Sequence, residues 1–221
     1  MKSKGEPSEP NNIVPKILAQ IEETARKEFL PSIGPIKGKI IEDVIKQYKP
    51  KKALEIGTLH GYSAILIANI ILSGEYDNEN FNSERSSTEP ILISVEKDQR
   101  LANIARKNIE KARLSEKIKV IDGDALEIIP RLKSKFKFNM IFLDATKSEY
   151  LKYLQLIEKY SLLNKRAVVV ADNVLIYENE MKDYLDYVRN SGKYISRTTE
   201  TSLEFTKNVK DALEMSINAD I

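Results

Sequence analysis

From residue 52 onward the chain repeats one pattern: a short apolar run, a polar turn, then a longer amphipathic stretch. The short runs are Ala53 to Ile56, Ile91 to Val95, Ile118 to Ile121, Met140 to Leu143 and Ala167 to Ala171. Runs of this length bounded by turn residues read as buried strands. Helix-period segments follow them, from about Tyr62 to Leu72, Gln99 to Leu114, Asp124 to Leu132, Glu149 to Leu162 and Glu178 to Asn190. A strand that must return parallel to its neighbour needs a crossover, usually a helix packed on one face of the sheet. The alternation therefore predicts an α/β fold: a doubly wound, mostly parallel sheet with helices on both faces.

The flanks complete this frame. Ile13, Ile17, Ile21 and Ala25 recur at helical spacing, with Pro15 near the first turn where its missing N–H costs nothing, so a helix is expected from Asn12 to Leu30. Pro31 to Pro35 breaks it, and Ile36, Ile40, Ile41, Val44 and Ile45 mark a second helix that Pro50 ends. Past Gly192 the alternation stops. Tyr194 to Phe205, a polar turn near Asn208 to Asp211, and Leu213, Met215 and Ile217 at period two predict a closing antiparallel hairpin. Residues 1 to 12 read as a disordered tail, residues 73 to 90 as a solvated loop insertion, and residues 13 to 221 as a single domain.

Composition narrows the chemistry. With no cysteine and a single histidine, His60, the chain has no disulfides, thiolate metal sites, cysteine nucleophiles or sites needing two imidazoles. A bound metal would have oxygen ligands. The net charge of +2 lacks the basic excess of a dedicated nucleic-acid binder, which makes a small molecule the expected substrate. The apolar run Ala64 to Leu72 is broken by Asn69 and falls far short of a membrane span. The amino terminus has no apolar core behind its charges, so a cytoplasmic location is expected.

Ligands of open α/β sheets bind beyond the carboxyl ends of the strands, and five constellations sit there. Leu54 to Ser63 ends the first strand, with Gly57 and Gly61 allowing a tight turn and close backbone approach to a ligand. Leu59 stands where a dinucleotide fingerprint needs its middle glycine, which disfavours a Rossmann dehydrogenase. Glu96, after the second strand, is placed to accept the hydroxyl protons of a ribose, or is only an exposed strand terminus. Asp124, after the third, caps a helix or takes an adenine amino group. Asp144 and Lys147 follow the fourth strand, and Asp172 and Asn173 the fifth. Two carboxylates and an amide converging on one rim suit a hard divalent cation such as Mg²⁺, although helix capping at each junction would use the same residues.

These residues resemble the class I S-adenosylmethionine-dependent O-methyltransferases of the catechol and caffeoyl-CoA type, over about residues 31 to 217. The resemblance is carried by Ile33 to Gly38, Leu54 to Ser63, Phe142 to Lys147, Tyr150-Leu151, Ala171 to Val174 and Leu203 to Phe205. It implies a seven-stranded sheet with one reversed edge strand, and a cation held by Asp144, Asp172 and Asn173. It also implies that Glu55, Gly57, Gly61 and Ser63 surround the methionine part of S-adenosylmethionine, and that Glu96 holds its ribose. Asp124, Ala125 and Ile33 would lie near the adenine, and Asp144 would border the cofactor. Lys147 matches the family's catalytic lysine, and Glu204 a carboxylate that orients the second hydroxyl of the acceptor. Ala145-Thr146 and Asn164-Lys165-Arg166 depart from the family pattern.

On this reading an aromatic vicinal diol chelates the cation, whose charge lowers the pKa of one hydroxyl, and Lys147 takes the proton. A nucleic-acid methyltransferase on the same fold is the runner-up. The fourth strand's Asp144-Ala145-Thr146-Lys147 departs from the Asn/Asp-Pro-Pro-Tyr/Phe of adenine-N6 enzymes. A non-catalytic binding protein would have no use for the triad and Lys147. Relatives occur as monomers and as dimers, which leaves a homodimer open.

Overall fold

The structure, a computed structural model, describes residues 13–74, 89–133, 136–206 and 208–219. The expected tail at residues 1–12 and most of the 73–90 insertion lie outside the described residues. Two helices, α1 (Ile13–Glu28) and α2 (Gly34–Tyr48), precede the sheet. Then follow β1 (Ala53–Ile56), α3 (Tyr62–Ser73), β2 (Leu92–Glu96), α4 (Gln99–Lys111), β3 (Ile118–Asp122) and α5 (Ala125–Arg131). The second half comprises β4 (Phe138–Leu143), a 3₁₀ turn (Lys147–Glu149), α6 (Tyr150–Lys159), β5 (Leu163–Ala171), α7 (Lys182–Asn190), β6 (Tyr194–Ser202) and β7 (Lys210–Asn218).

The strands form one seven-stranded sheet in the order β3-β2-β1-β4-β5-β7-β6, with β1 to β5 parallel. Alternate residues of each strand feed two cores, as the two-residue period of a strand requires. Ala53, Leu92, Met140, Phe142 and Val168 pack under α1, α2, α3 and α4. Leu54, Ile56, Ile93, Ile141 and Val169 pack on the opposite face under α5, α6 and α7.

The expected elements are present, with three differences. First, the reversed strand is not at the edge. β7 runs antiparallel to both neighbours and lies between β5 and β6, so β6 forms the edge. Leu213, Met215 and Ile217 share one face of β7, and Ala212, Glu214 and Ser216 on the other face are buried. Their polar members are satisfied: Arg189 forks onto Glu214 at 2.8 and 3.0 Å, and Ser196 meets Ser216 at 2.8 Å. Second, β5 begins at Leu163 rather than Ala167. Its first residues pass through a register shift opposite Phe138 and Met140, with Arg166 at φ 55°. Third, α7 starts at Lys182 rather than Glu178.

Register sets up the site. Ile56 lies beside both Val95 and Leu143, and Leu143 beside Ala171. The residues that follow, Gly57, Glu96, Asp144 and Asp172, therefore leave four adjacent strands at the same rim.

Candidate active site

Two cavities open at that rim. One, of about 420 Å³, is lined by the turns after β1 to β4, including Ile33, Gly57, Ser63, Glu96, Asp124, Ala125, Asp144 and Lys147. The other, of about 490 Å³, lies between the α1–α2 connection and the turns after β5 and β6, and has a largely apolar wall that includes Phe29, Leu30, Ile176, Leu203 and Phe205. Asn173 and Tyr177 line both, so the two spaces meet beside Asn173.

The first cavity exists because the chain turns sharply after β1. Gly57 has φ +98°, and a Cβ there would stand 2.1 Å from the backbone oxygen of Asp144. Only glycine brings the β1 and β4 turns this close. Glu96 braces the same turn: its Oε2 accepts from the backbone N–H of Thr58 (3.0 Å) and Leu59 (2.9 Å), and Oε1 from that of Asp98 (3.0 Å). Asp124 caps α5 through Leu126 N (2.9 Å) and pairs with Lys97 (2.7 Å), which holds its carboxyl below the usual range.

Glu55 and Gly61 are not among the residues lining the cavity. Glu55 is fully buried beneath the floor, where Ser94 donates to its Oε2 and Oε1 has no partner. Burial foremost, with the charges of Asp144 and Glu96, pushes its pKa up to about 7. Gly61 opens α3 and faces Ala105. His60, buried at the cavity wall, is kept below its usual pKa by burial.

Where the cavities meet, each of three side chains has one atom tied by a donor or to an acceptor, leaving one oxygen over. Asp144 Oδ1 accepts from Lys147 Nζ at 2.8 Å. Asp172 Oδ1 accepts from Lys37 Nζ at 2.6 Å and from Asn173 N at 2.7 Å. Asn173 Nδ2 donates to Asp211 Oδ2 at 2.8 Å. Among the described residues, Asp144 Oδ2, Asp172 Oδ2 and Asn173 Oδ1 have no hydrogen-bond partner. Burial, then the charge of nearby Asp144, raises the Asp172 pKa despite Lys37. Two carboxylates close enough to oppose each other's ionisation, with an amide oxygen beside them, fit a hard divalent cation. No cluster of three His, Cys, Asp or Glu side chains among the described residues has metal-holding geometry, so the Asn173 amide would have to supply the third protein oxygen.

Lys147 stands beside this set. Its Nζ reaches Tyr150 Oη at 2.9 Å as well as Asp144, and lies 5.3 and 5.9 Å from the ring centres of Tyr150 and Tyr177. The Tyr150 hydroxyl, fully buried, donates onward to Leu143 O at 2.9 Å. Glu204 lines the second cavity, but its Oε1 accepts from the backbone N–H of Ile36 (2.5 Å) and Lys37 (3.1 Å), closing the amino end of α2. Sequence reasoning missed that cap, together with Lys37 and Asp211. Glu204 meets the Lys37 amide from 167 residues away and Asp211 meets the Lys37 ammonium from 174, and only the unusual Lys37 within the apolar stripe of α2 hinted at a buried ion pair.

Comparison with known proteins agrees with this architecture. The family described as O-methyltransferase matches residues 8–190. Catechol O-methyltransferase B of Danio rerio is 34% identical over 205 residues, covering 91% of this chain and 71% of that protein. Catechol O-methyltransferase of Mus musculus is 31% identical over 214 residues, covering 96% and 73%. The crystal structure of an O-methyltransferase from Bacillus cereus in complex with SAH superposes with a TM-score of 0.74 at 22% identity, covering 95% of this chain and 92% of that one. No helix among the described residues is long and apolar enough to cross a membrane.

Proposed function

We infer the function from an established premise: the chain belongs to the O-methyltransferase family, as an S-adenosylmethionine-dependent enzyme related to the catechol O-methyltransferases. We propose that its acceptor is a small aromatic vicinal diol and that its site takes a hard divalent cation, Mg²⁺ or a similar ion. The observation that carries this reading is the set of three unpartnered oxygens on Asp144, Asp172 and Asn173, at the junction of the two cavities.

S-adenosylmethionine occupies the first cavity on this reading. Glu96 has lone pairs left for its ribose, Ile33 and Ala125 border the adenine beside Asp124, and Gly57 and Ser63 flank the methionine portion. The acceptor ring lies in the second cavity among Leu30, Ile176, Leu203 and Phe205. Asp144, Asp172 and Asn173 hold the cation, which when bound supplies positive charge that favours ionisation of the acceptor hydroxyl. Lys147 Nζ accepts that hydroxyl's proton, and Tyr150 and Asp144 hold the amine in place. The acceptor oxygen forms its bond to the methyl carbon as the carbon–sulfur bond breaks, leaving neutral S-adenosylhomocysteine. Glu204 Oε2, free of the α2 amides, orients the second hydroxyl.

The test is methyl transfer from S-adenosylmethionine to a panel of catechols, monophenols and RNAs, with Mg²⁺ and with EDTA. Catechol methylation lost in EDTA, and lost in Asp144→Ala and Asp172→Ala with cofactor affinity held within a fewfold, is expected. Full activity in EDTA, or transfer to RNA and to no catechol, would overturn it.

A further inference from the structure

We propose that Asp211 is a positioning residue for the divalent-cation site, fixing from the inner strand β7 which atom of Asn173 faces that site. The proposal rests on the cation reading above. Asp211 is fully buried and lines neither cavity, so it touches neither reactant. Its Oδ2 accepts from Asn173 Nδ2 at 2.8 Å and from Lys37 Nζ at 2.6 Å.

An asparagine side chain has nearly the same shape when its amide is turned over, but only the oxygen end binds a hard cation. Asp211 breaks that symmetry. With Nδ2 against the Asp211 carboxylate the amide oxygen is left for the site, whereas the turned amide would set Oδ1 against a negative oxygen. Lys37 extends the effect to the next ligand. Its ammonium is shared between Asp211 and Asp172 Oδ1, so Asp211 offsets part of the positive charge that would otherwise fall on Asp172 and oppose a second cation there. Partners of this kind behind metal ligands typically alter metal affinity by about 10- to 100-fold.

The test uses the whole chain and Mn²⁺ alone, with free Mn²⁺ followed by electron paramagnetic resonance and S-adenosylmethionine binding followed by calorimetry. Asp211→Ala should weaken Mn²⁺ binding by about 10- to 100-fold and leave S-adenosylmethionine affinity within about twofold. Asp211→Asn keeps the volume and one acceptor oxygen. It should show a smaller loss in the same direction, and it carries the test should the alanine variant not fold. A folded variant that binds Mn²⁺ like the parent overturns the proposal, and so does an equal loss of both affinities, which would mark a general structural role. A parent protein that takes up no Mn²⁺ overturns the cation reading itself, an outcome distinct from either.

Discussion

At the scale of single residues, Glu55 is a carboxylate whose burial works against the fold. Glu55 sits at full burial with one oxygen unpartnered, and its folded-state pKa of about 7 lies above the ordinary carboxylate value of 4.5. Its folded form therefore holds a proton that the unfolded chain has released between these two values, so stability falls as pH rises from about 4.5 to 7. Glu55→Gln should remove this penalty. Thermal melts should show the variant more stable than the parent at pH 8, by up to about 3 kcal/mol, and no more stable at pH 4. Equal melting shifts at both values would mean that the carboxylate is neutral or well solvated throughout. Lys147 offers the matching kinetic experiment. Lys147→Ala should lower kcat by about 10² to 10⁴ without changing cofactor affinity, and Lys147→Arg should not restore it, because a guanidinium does not release its proton near neutral pH. An arginine variant with parental kcat would make residue 147 an electrostatic anchor, and the proton would leave by way of water.

At the scale of elements, α2 shows how a helix end is completed by a distant chain segment. Ile33 precedes α2 in helical conformation and offers no side-chain cap, and Gly34, at φ +55°, leaves room for the Glu204 carboxyl, which a Cβ would meet at 2.6 Å. Glu204 supplies the missing acceptor and places negative charge at the positive end of the helix. Glu204→Ala should lower stability by about 1 to 2 kcal/mol in urea titrations, and Glu204→Gln, which keeps an acceptor, by clearly less. If the two variants are equally stable, the cap is not what Glu204 contributes. The same element marks how far the sequence could be read. The apolar stripe of α2 was legible because its signal repeats within four residues, and the strand ends at Ile56, Leu143 and Ala171 were legible because buried parallel strands read as short apolar runs. The place of β7 was not, since Arg189 and Ser196, whose contacts bury its polar face, belong to other elements. The turn after β1 was read from Gly57 and Gly61, but nothing local told that Glu55 would lie under the floor rather than on the wall.

At the scale of the whole molecule, a buried lysine ties the amino-terminal helices to the carboxyl-terminal half of the sheet, beside the Glu204 cap and the shared apolar core. Lys37, on α2 and only 1% exposed, pairs with Asp172 at the end of β5 and Asp211 on β7, each at 2.6 Å. Burial alone would lower its pKa, but the two carboxylates outweigh burial and hold it above the ordinary lysine value. Asp211 is held below the usual carboxylate range by Lys37 and Asn173, although burial acts the other way. Charges so placed have already lost their hydration, so the cluster adds little net stability compared with an apolar core, while removing one member leaves the others uncompensated. Lys37→Met should therefore cost about 3 to 5 kcal/mol in urea unfolding, a large share of the 5 to 15 kcal/mol typical of a domain. The triple variant Lys37→Met, Asp172→Asn, Asp211→Asn should regain most of that stability while remaining inactive, since it gives up a proposed cation ligand. A single variant that loses less than about 1 kcal/mol would show that water or a shifted side chain replaces the ammonium. The fastening would then rest on the Glu204 cap and on apolar contacts such as those of Ile41, Val44 and Ile45.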